Sequence, residues 1–262
     1  MRSVLFEIGP IQIYGYGLMI ALGVICAFAI AGWLAKRSGL DGDVLFNMGL
    51  IGIVGGIVGA KLLYYIVELP SLIQEPARLL DFGEGFVVYG GLIAGILCPL
   101  VYARQKKLPF WAYLDCAVPG IAFAQGCGRI GCFLAGCCYG AQTDAWYGVV
   151  FPENSMAPAG VSLIPTQLIS AAGDFLFAVI LLWLQRRQYG RLQKDGRTGI
   201  VSAVYLLLYS SGRFLVEFLR DDPRGAVGGL STSQFISFFI FAAGAVLLVY
   251  RLRAEKQTAP EE

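Results

Sequence analysis

The 262-residue chain contains no histidine. That removes at once the usual general base near neutral pH and the commonest protein metal ligand. Charge is scarce as well: acidic and basic residues make up 15% of the chain, against about a quarter in soluble domains. A formal net charge of +2 gives no field for gripping a phosphate backbone, and no nucleic-acid partner is expected. Repeats, low-complexity tracts and a second domain are not evident. What the chain does have is apolar: 57% of its residues are hydrophobic, and the mean hydropathy is +0.67. The apolar residues fall in blocks about as long as the 20 or so helical residues that cross a bilayer. The first block, about 11–35, is too long for the core of a cleavable signal peptide, and no small-residue cleavage site follows it.

Seven spans are expected, at about 11–35, 44–66, 86–103, 109–134, 166–185, 199–219 and 231–250. They are read as helices because hydrocarbon leaves each backbone amide to be satisfied within its own segment. One set of connections carries Lys36, Arg37, Arg104, Lys106, Lys107, Arg186, Arg187, Arg191, Lys194, Arg197, Arg251, Arg253 and Lys256. The other carries only Arg2, Arg78 and Arg224. The positive-inside bias then places the N-terminus outside and the C-terminus in the cytoplasm. The expected architecture is all-α and polytopic, a single integral membrane domain over 1–262. Outer-face segments are expected at about 67–85 and 135–165. In the second of these, Trp146, Tyr147 and Phe151 suit headgroup level. The tail EKQTAPEE is expected to be disordered.

Ionisable groups inside such spans cost several kcal/mol on insertion scales and tend to face polar cavities or one another. The cations are Lys61, Arg129, Arg213 and Arg220, and the acids are Asp115, Asp174 and Glu217. In GRFLVEFLR (212–220), Arg213, Glu217 and Arg220 share one helical face, with one positive charge in excess. Arg129 sits between Gly128 and Gly131 with Gly126, Gly136 and Gly140 nearby. Glycine permits broken backbone, which is tolerated at membrane depth where it lines a cavity. Guanidinium offers planar paired donors to a phosphate, so the pattern suits an anionic lipid headgroup.

The stretch CGRIGCFLAGCCYG (127–140) adds Cys127, Cys132, Cys137 and Cys138. Spacings of five, five and one do not match the paired thiolates of zinc or iron–sulfur sites. A disulfide remains open on an oxidising face. The favoured reading is four small, soft packing residues, with no metal and no soluble cofactor.

YGYGLM (14–19), GAKLLYY (59–65), YGGLIAG (89–95), GRIGCFLAGCCYG (128–140), PTQL (165–168) and GRFLVEFLR (212–220) together resemble the prolipoprotein diacylglyceryl transferases. The similarity runs in order along nearly the whole chain. It implies a multi-pass protein of the bacterial inner membrane. Such a protein moves a diacylglyceryl group from phosphatidylglycerol to the lipobox cysteine of preprolipoprotein signal peptides. On this resemblance Arg129 and Arg213 bind the leaving phosphate and Glu217 orients Arg213. Tyr16, Lys61, Gly90, Gly91, Gly140 and Arg220 complete the surface for the headgroup and the surrounding membrane lipids.

Tyr89 stands where the family often has histidine, and is the expected catalytic hydroxyl, as a base helped by a cation or as a hydrogen-bond donor. Other departures are Cys132 for an asparagine, Cys137 for an acid, Ile164-Pro165 for His-Pro and Ile169-Ser170 for Tyr-Glu. They leave open a relative that uses another thiol acceptor or another anionic lipid. A small-solute transporter is the alternative from a different class.

Overall fold

The computed structural model describes residues 4–8, 11–75, 79, 83, 85–195, 198–222 and 225–256, with backbone alone for 4–8, 11–13, 188–195, 226–227 and 254–256. The described residues form eight helices. They are α1 (Gly15–Arg37), α2 (Gly42–Val67), α3 (Leu69–Gln74), α4 (Val88–Gln105), α5 (Phe110–Ala135), α6 (Thr166–Asp195), α7 (Ile200–Glu217) and α8 (Thr232–Lys256). Three two-stranded antiparallel sheets accompany them: β1 (Val4–Ile8) with β2 (Ile11–Tyr14), β3 (Val149–Val150) with β4 (Ser162–Leu163), and β5 (Ala226–Val227) with β6 (Leu230–Ser231).

All of α1, α2, α5, α7, α8 and the first part of α6 are long and apolar enough to cross a membrane, six helices among the described residues. The remaining expected span corresponds to α4, which is 18 residues long. Large apolar side chains cover the outward faces, Ile25 being 65%, Ile66 69% and Val246 70% exposed. In water such a surface would aggregate; against lipid chains it is already solvated. The chain is thus an all-α, multi-pass membrane protein.

Several boundaries differ from the hydropathy reading. Residues 11–14 are strand rather than the start of the first span, paired with β1 in a hairpin. The helical backbone of α6 runs on to Asp195, ten residues past the expected end. An apolar run marks the lipid slab, not the end of the helix it belongs to. Phe151, expected among the interfacial aromatics, is only 1% exposed. With Ala157 and Leu163 it fills a small core roofed by Phe133, Tyr139, Val149 and Val161, because the 135–165 segment folds on itself. Trp146 is 94% exposed, as an interfacial anchor would be. Arg2, Arg78, Arg197 and Arg224 lie outside the described residues, as do 257–262 of the tail.

The chain divides into two compact units, residues 1–38 with 114–262, and residues 39–113. In the second unit α2 and α4 pack through their small residues. A Cβ on Gly52 would meet Gly95 O, one on Gly56 would meet Gly91 O, and one on Gly59 would meet Ala94 Cβ and Gly90 O. Helix backbones therefore touch along the whole crossing, the packing mode that replaces the hydrophobic effect inside lipid.

In the first unit, Val118, Ala122, Ala178, Leu181 and Val201 join α5, α6 and α7. Asp115 is fully buried there and accounts for itself structurally. Its carboxylate accepts the Gly199 and Ser202 backbone N–H groups and the Ser202 hydroxyl. Gly199, the N-cap of α7, has no side chain to cap with. Asp115 caps that helix from α5, where its charge also opposes the helix dipole.

Candidate active site

The signature loop begins where α5 stops. Gly136 has a φ of 76°, and its N–H donates to Phe133 O while the Cys137 N–H donates to Cys132 O. This is the Schellman arrangement, in which a left-handed residue just past the helix satisfies two orphan carbonyls. Beyond it the loop is stitched between two other segments. Gly140 N–H donates to Ile164 O, Ala141 N–H to Leu219 O, and Asp221 N–H to Tyr139 O. Gly140 has no room for a side chain, since a Cβ would strike Leu219 O, Thr166 Cγ2 and Ile164 Cβ. Two buried side chains at the start of α6 hold the loop carbonyls. Thr166 Oγ1 donates to Cys138 O at 2.7 Å and Gln167 Nε2 donates to Cys137 O at 2.8 Å.

Through this stitching α5, α6 and α7 surround one small cavity of about 40 Å³, lined by Arg129, Ile169, Ser170, Gly173, Asp174 and Arg213, among others. Arg213 is held on two sides. Its Nη1 lies 2.7 Å from Glu217 Oε2, and its Nη2 donates to Ser233 Oγ at 2.6 Å. Arg129 makes no side-chain hydrogen bond or ion pair with any described residue; its charge is felt by Asp174, Arg213 and Tyr16 through space. A half-buried guanidinium with no bonded partner among the described residues keeps donors with which it can bind an anion.

The charge count along α7 is corrected. The positive charge expected in excess over Glu217 is balanced by Asp222, with which Arg220 forms a bidentate pair at 2.9 and 2.7 Å, while Glu217 lies 4.0 Å from Arg220 Nη1. Burial lowers the Arg220 pKa, but the hydrogen bonds and charge of Asp222 outweigh it and hold the guanidinium firmly protonated. Arg220 thus anchors the chain where it leaves α7, and the unspent cation of the cavity is Arg129.

Tyr16, in the first turn of α1, lays its ring against Gly131, where a Cβ would approach Tyr16 Cδ2 to 3.1 Å. The structure thus brings Tyr16, Arg129, Gly140, Arg213, Glu217 and Arg220 into the first unit. Lys61, Tyr89, Gly90 and Gly91 belong to the second. There the Lys61 ammonium lies over the rings of Tyr64, Tyr65 and Phe86 at 5.1–5.2 Å. Gly90 and Gly91 face Gly59, Gly56 and Ala60 of α2, which accounts for both as packing residues. Tyr89 lies in the first turn of α4, 44% exposed.

Four contributors had no assigned role in the sequence reading. Asp174 was marked only as an acid inside an apolar run. Thr166 and Gln167 were legible only as part of PTQL. Ser233 carries no sequence signal at all. Ile169 and Ser170, which depart from the family pattern, do line the cavity.

An arginine braced by Glu217 and Ser233 thus shares a cavity lining with a second arginine and with Asp174. The comparisons agree with the motif order. A family model described as prolipoprotein diacylglyceryl transferase matches residues 3–250. A phosphatidylglycerol–prolipoprotein diacylglyceryl transferase of Clostridium tetani is 48% identical over 244 residues, covering 93% of this chain and 95% of that protein. One from Clostridium perfringens, named as transferase 2, is 46% identical over 260 residues, covering 98% and 99%. One from Clostridioides difficile is 32% identical over 264 residues and covers both chains completely. With the family model spanning almost the entire sequence, the chain belongs to the prolipoprotein diacylglyceryl transferase family.

Proposed function

We propose that this protein transfers the diacylglyceryl group of phosphatidylglycerol to the lipobox cysteine thiol of preprolipoprotein signal peptides. The site would open toward the outer leaflet of the bacterial inner membrane, with the N-terminus outside. The observation that carries this reading is that Arg129, which makes no bond to any described residue, and Arg213, which is braced by Glu217 and Ser233, line one cavity.

In the reaction the thiol sulfur attacks the glycerol carbon that bears the phosphate. The C–S bond forms as the C–O bond breaks, and glycerol phosphate leaves with the bonding electrons. The thiol proton passes to a base and finally to the phosphate or to water. Negative charge therefore grows on the phosphate oxygens along the reaction coordinate. Fixed cationic donors aimed at those oxygens stabilise the transition state more than the diester ground state, which is what accelerates the step.

Arg213 is suited to this because its orientation is set before substrate arrives, so little reorganisation remains. Arg129 supplies the donors that the protein leaves unspent. Tyr89 is the proposed hydroxyl for handling the thiol proton, with Tyr16, Lys61 and Arg220 as elements of the headgroup surroundings.

The test is transfer of labelled diacylglyceryl to a lipobox peptide in phosphatidylglycerol vesicles, with complementation of a strain depleted of its own transferase. Labelled peptide and restored growth support the reading. Phospholipid binding without peptide modification refutes it.

A further inference from the structure

The cysteines do not behave as one group of packing residues. Cys127 is 5% exposed and packs against α1, where a Cβ on Gly23 would come within 3.0 Å of its own Cβ. The Sγ atoms of Cys132, Cys137 and Cys138 instead lie within 4.8 Å of one another, and all three residues are partly exposed.

The helix stop explains the convergence. In a Schellman motif the residue two past the cap packs against the residue five before it. Here those two are Cys137 and Cys132, bonded backbone to backbone at 3.1 Å. Cys138 then takes a φ of 61°, rare for any residue but glycine, which turns the third thiol back to the pair. Thr166 and Gln167 fix the carbonyls of Cys138 and Cys137 from beneath. Three sulfurs are therefore held together by backbone geometry, not by chance side-chain contact.

We propose that Cys132, Cys137 and Cys138 form a three-thiolate site for one soft d¹⁰ cation, with Cu(I) as the best fit. A planar three-sulfur complex with bonds of about 2.3 Å places its sulfurs about 4.0 Å apart, so closure needs movements of less than about 1 Å. Soft thiolates select Cu(I), whereas Fe–S clusters and structural zinc ask for four ligands and the chain has no histidine to complete them.

The charge also balances. The charges of Arg220 and Arg129 act on the cluster through space. Cu(I) displaces the protons of the three thiols to solvent as the three Cu–S bonds form. The product is a tris-thiolate complex of charge −2 beside two guanidinium groups.

The test uses the full-length, detergent-solubilised protein, purified anaerobically with its thiols reduced. Cu(I) is presented as its bicinchoninate complex. The protein is expected to withdraw one equivalent of copper, and X-ray absorption is expected to show sulfur-only coordination. A C132S/C137S/C138S variant should withdraw none, and a C26S/C98S variant should still withdraw one. Matched thermal unfolding of the variants separates loss of the site from loss of the fold, and each single serine variant gives the same reading should the triple variant be poorly folded. Equal copper uptake by wild type and the well-folded cysteine-cluster variants overturns the proposal. So does failure of the reduced wild type to compete, or recovery of a disulfide within the cluster from the anaerobic protein.

Discussion

Arg213 Nη1 and Glu217 Oε2 are 2.7 Å apart, one helical turn from each other on α7, with the Glu217 side chain only 2% exposed. The pair fixes a guanidinium at the wall of a cavity where Arg129 arrives from another helix without a bonded partner among the described residues. One arginine is thereby oriented in advance and the other is left available.

Arg129→Ala and Arg213→Ala should each lower the rate of diacylglyceryl transfer by about 10²–10³, the usual cost of deleting a donor to developing charge. The check is initial-rate transfer to a lipobox peptide at saturating phosphatidylglycerol. Full activity in either variant removes that side chain from the phosphate.

Glu217→Gln should act through Arg213. Removing the carboxylate charge from this ion pair loosens the hold on Arg213, and a loss of about 1.5–3 kcal/mol in transition-state binding corresponds to about 10- to 100-fold in kcat/KM. In an Arg213→Ala background the same change should cost much less. Equal losses in both backgrounds would show that Glu217 does not work by positioning Arg213.

Tyr89→Phe should slow transfer strongly while leaving the fold intact, since the side chain is 44% exposed. An unchanged rate would take the hydroxyl out of the chemistry.

Gly90→Ala tests packing against substrate binding. A Cβ there would run into Gly59 O and Leu63 Cβ. The expected result is a loss of about 1–3 kcal/mol in stability, the range for overpacked contacts, read by thermal unfolding in detergent. Its KM for phosphatidylglycerol should not change in the protein that remains folded. A raised KM with unchanged unfolding would return Gly90 to the binding surface.

Much of this was legible from residue types. Apolar blocks gave the helices, because lipid leaves no other way to satisfy the backbone. Arg129 and Arg213 stood out because a cation in such a block needs a reason. The partners of those cations were not legible. Asp222 neutralises Arg220 from beyond the end of α7, and Ser233 reaches Arg213 from α8, so no periodicity within one helix reveals either. Asp115 looked like a buried charge without purpose until its donors on Gly199 and Ser202 were in view. The meeting of Cys132 with Cys137 did have a signal, the glycine at 136, but only as a helix stop and not as a spacing between thiols.

The most direct test of the central claim is the distance from the phosphorus of bound phosphatidylglycerol to the guanidinium nitrogens, measured by solid-state ³¹P–¹⁵N recoupling with arginine-labelled protein in vesicles. Wild type should show strong dephasing, and Arg129→Lys and Arg213→Lys should each remove part of it. Dephasing untouched by both substitutions would mean that the lipid phosphate sits elsewhere, and the transfer mechanism built on these two arginines would be wrong.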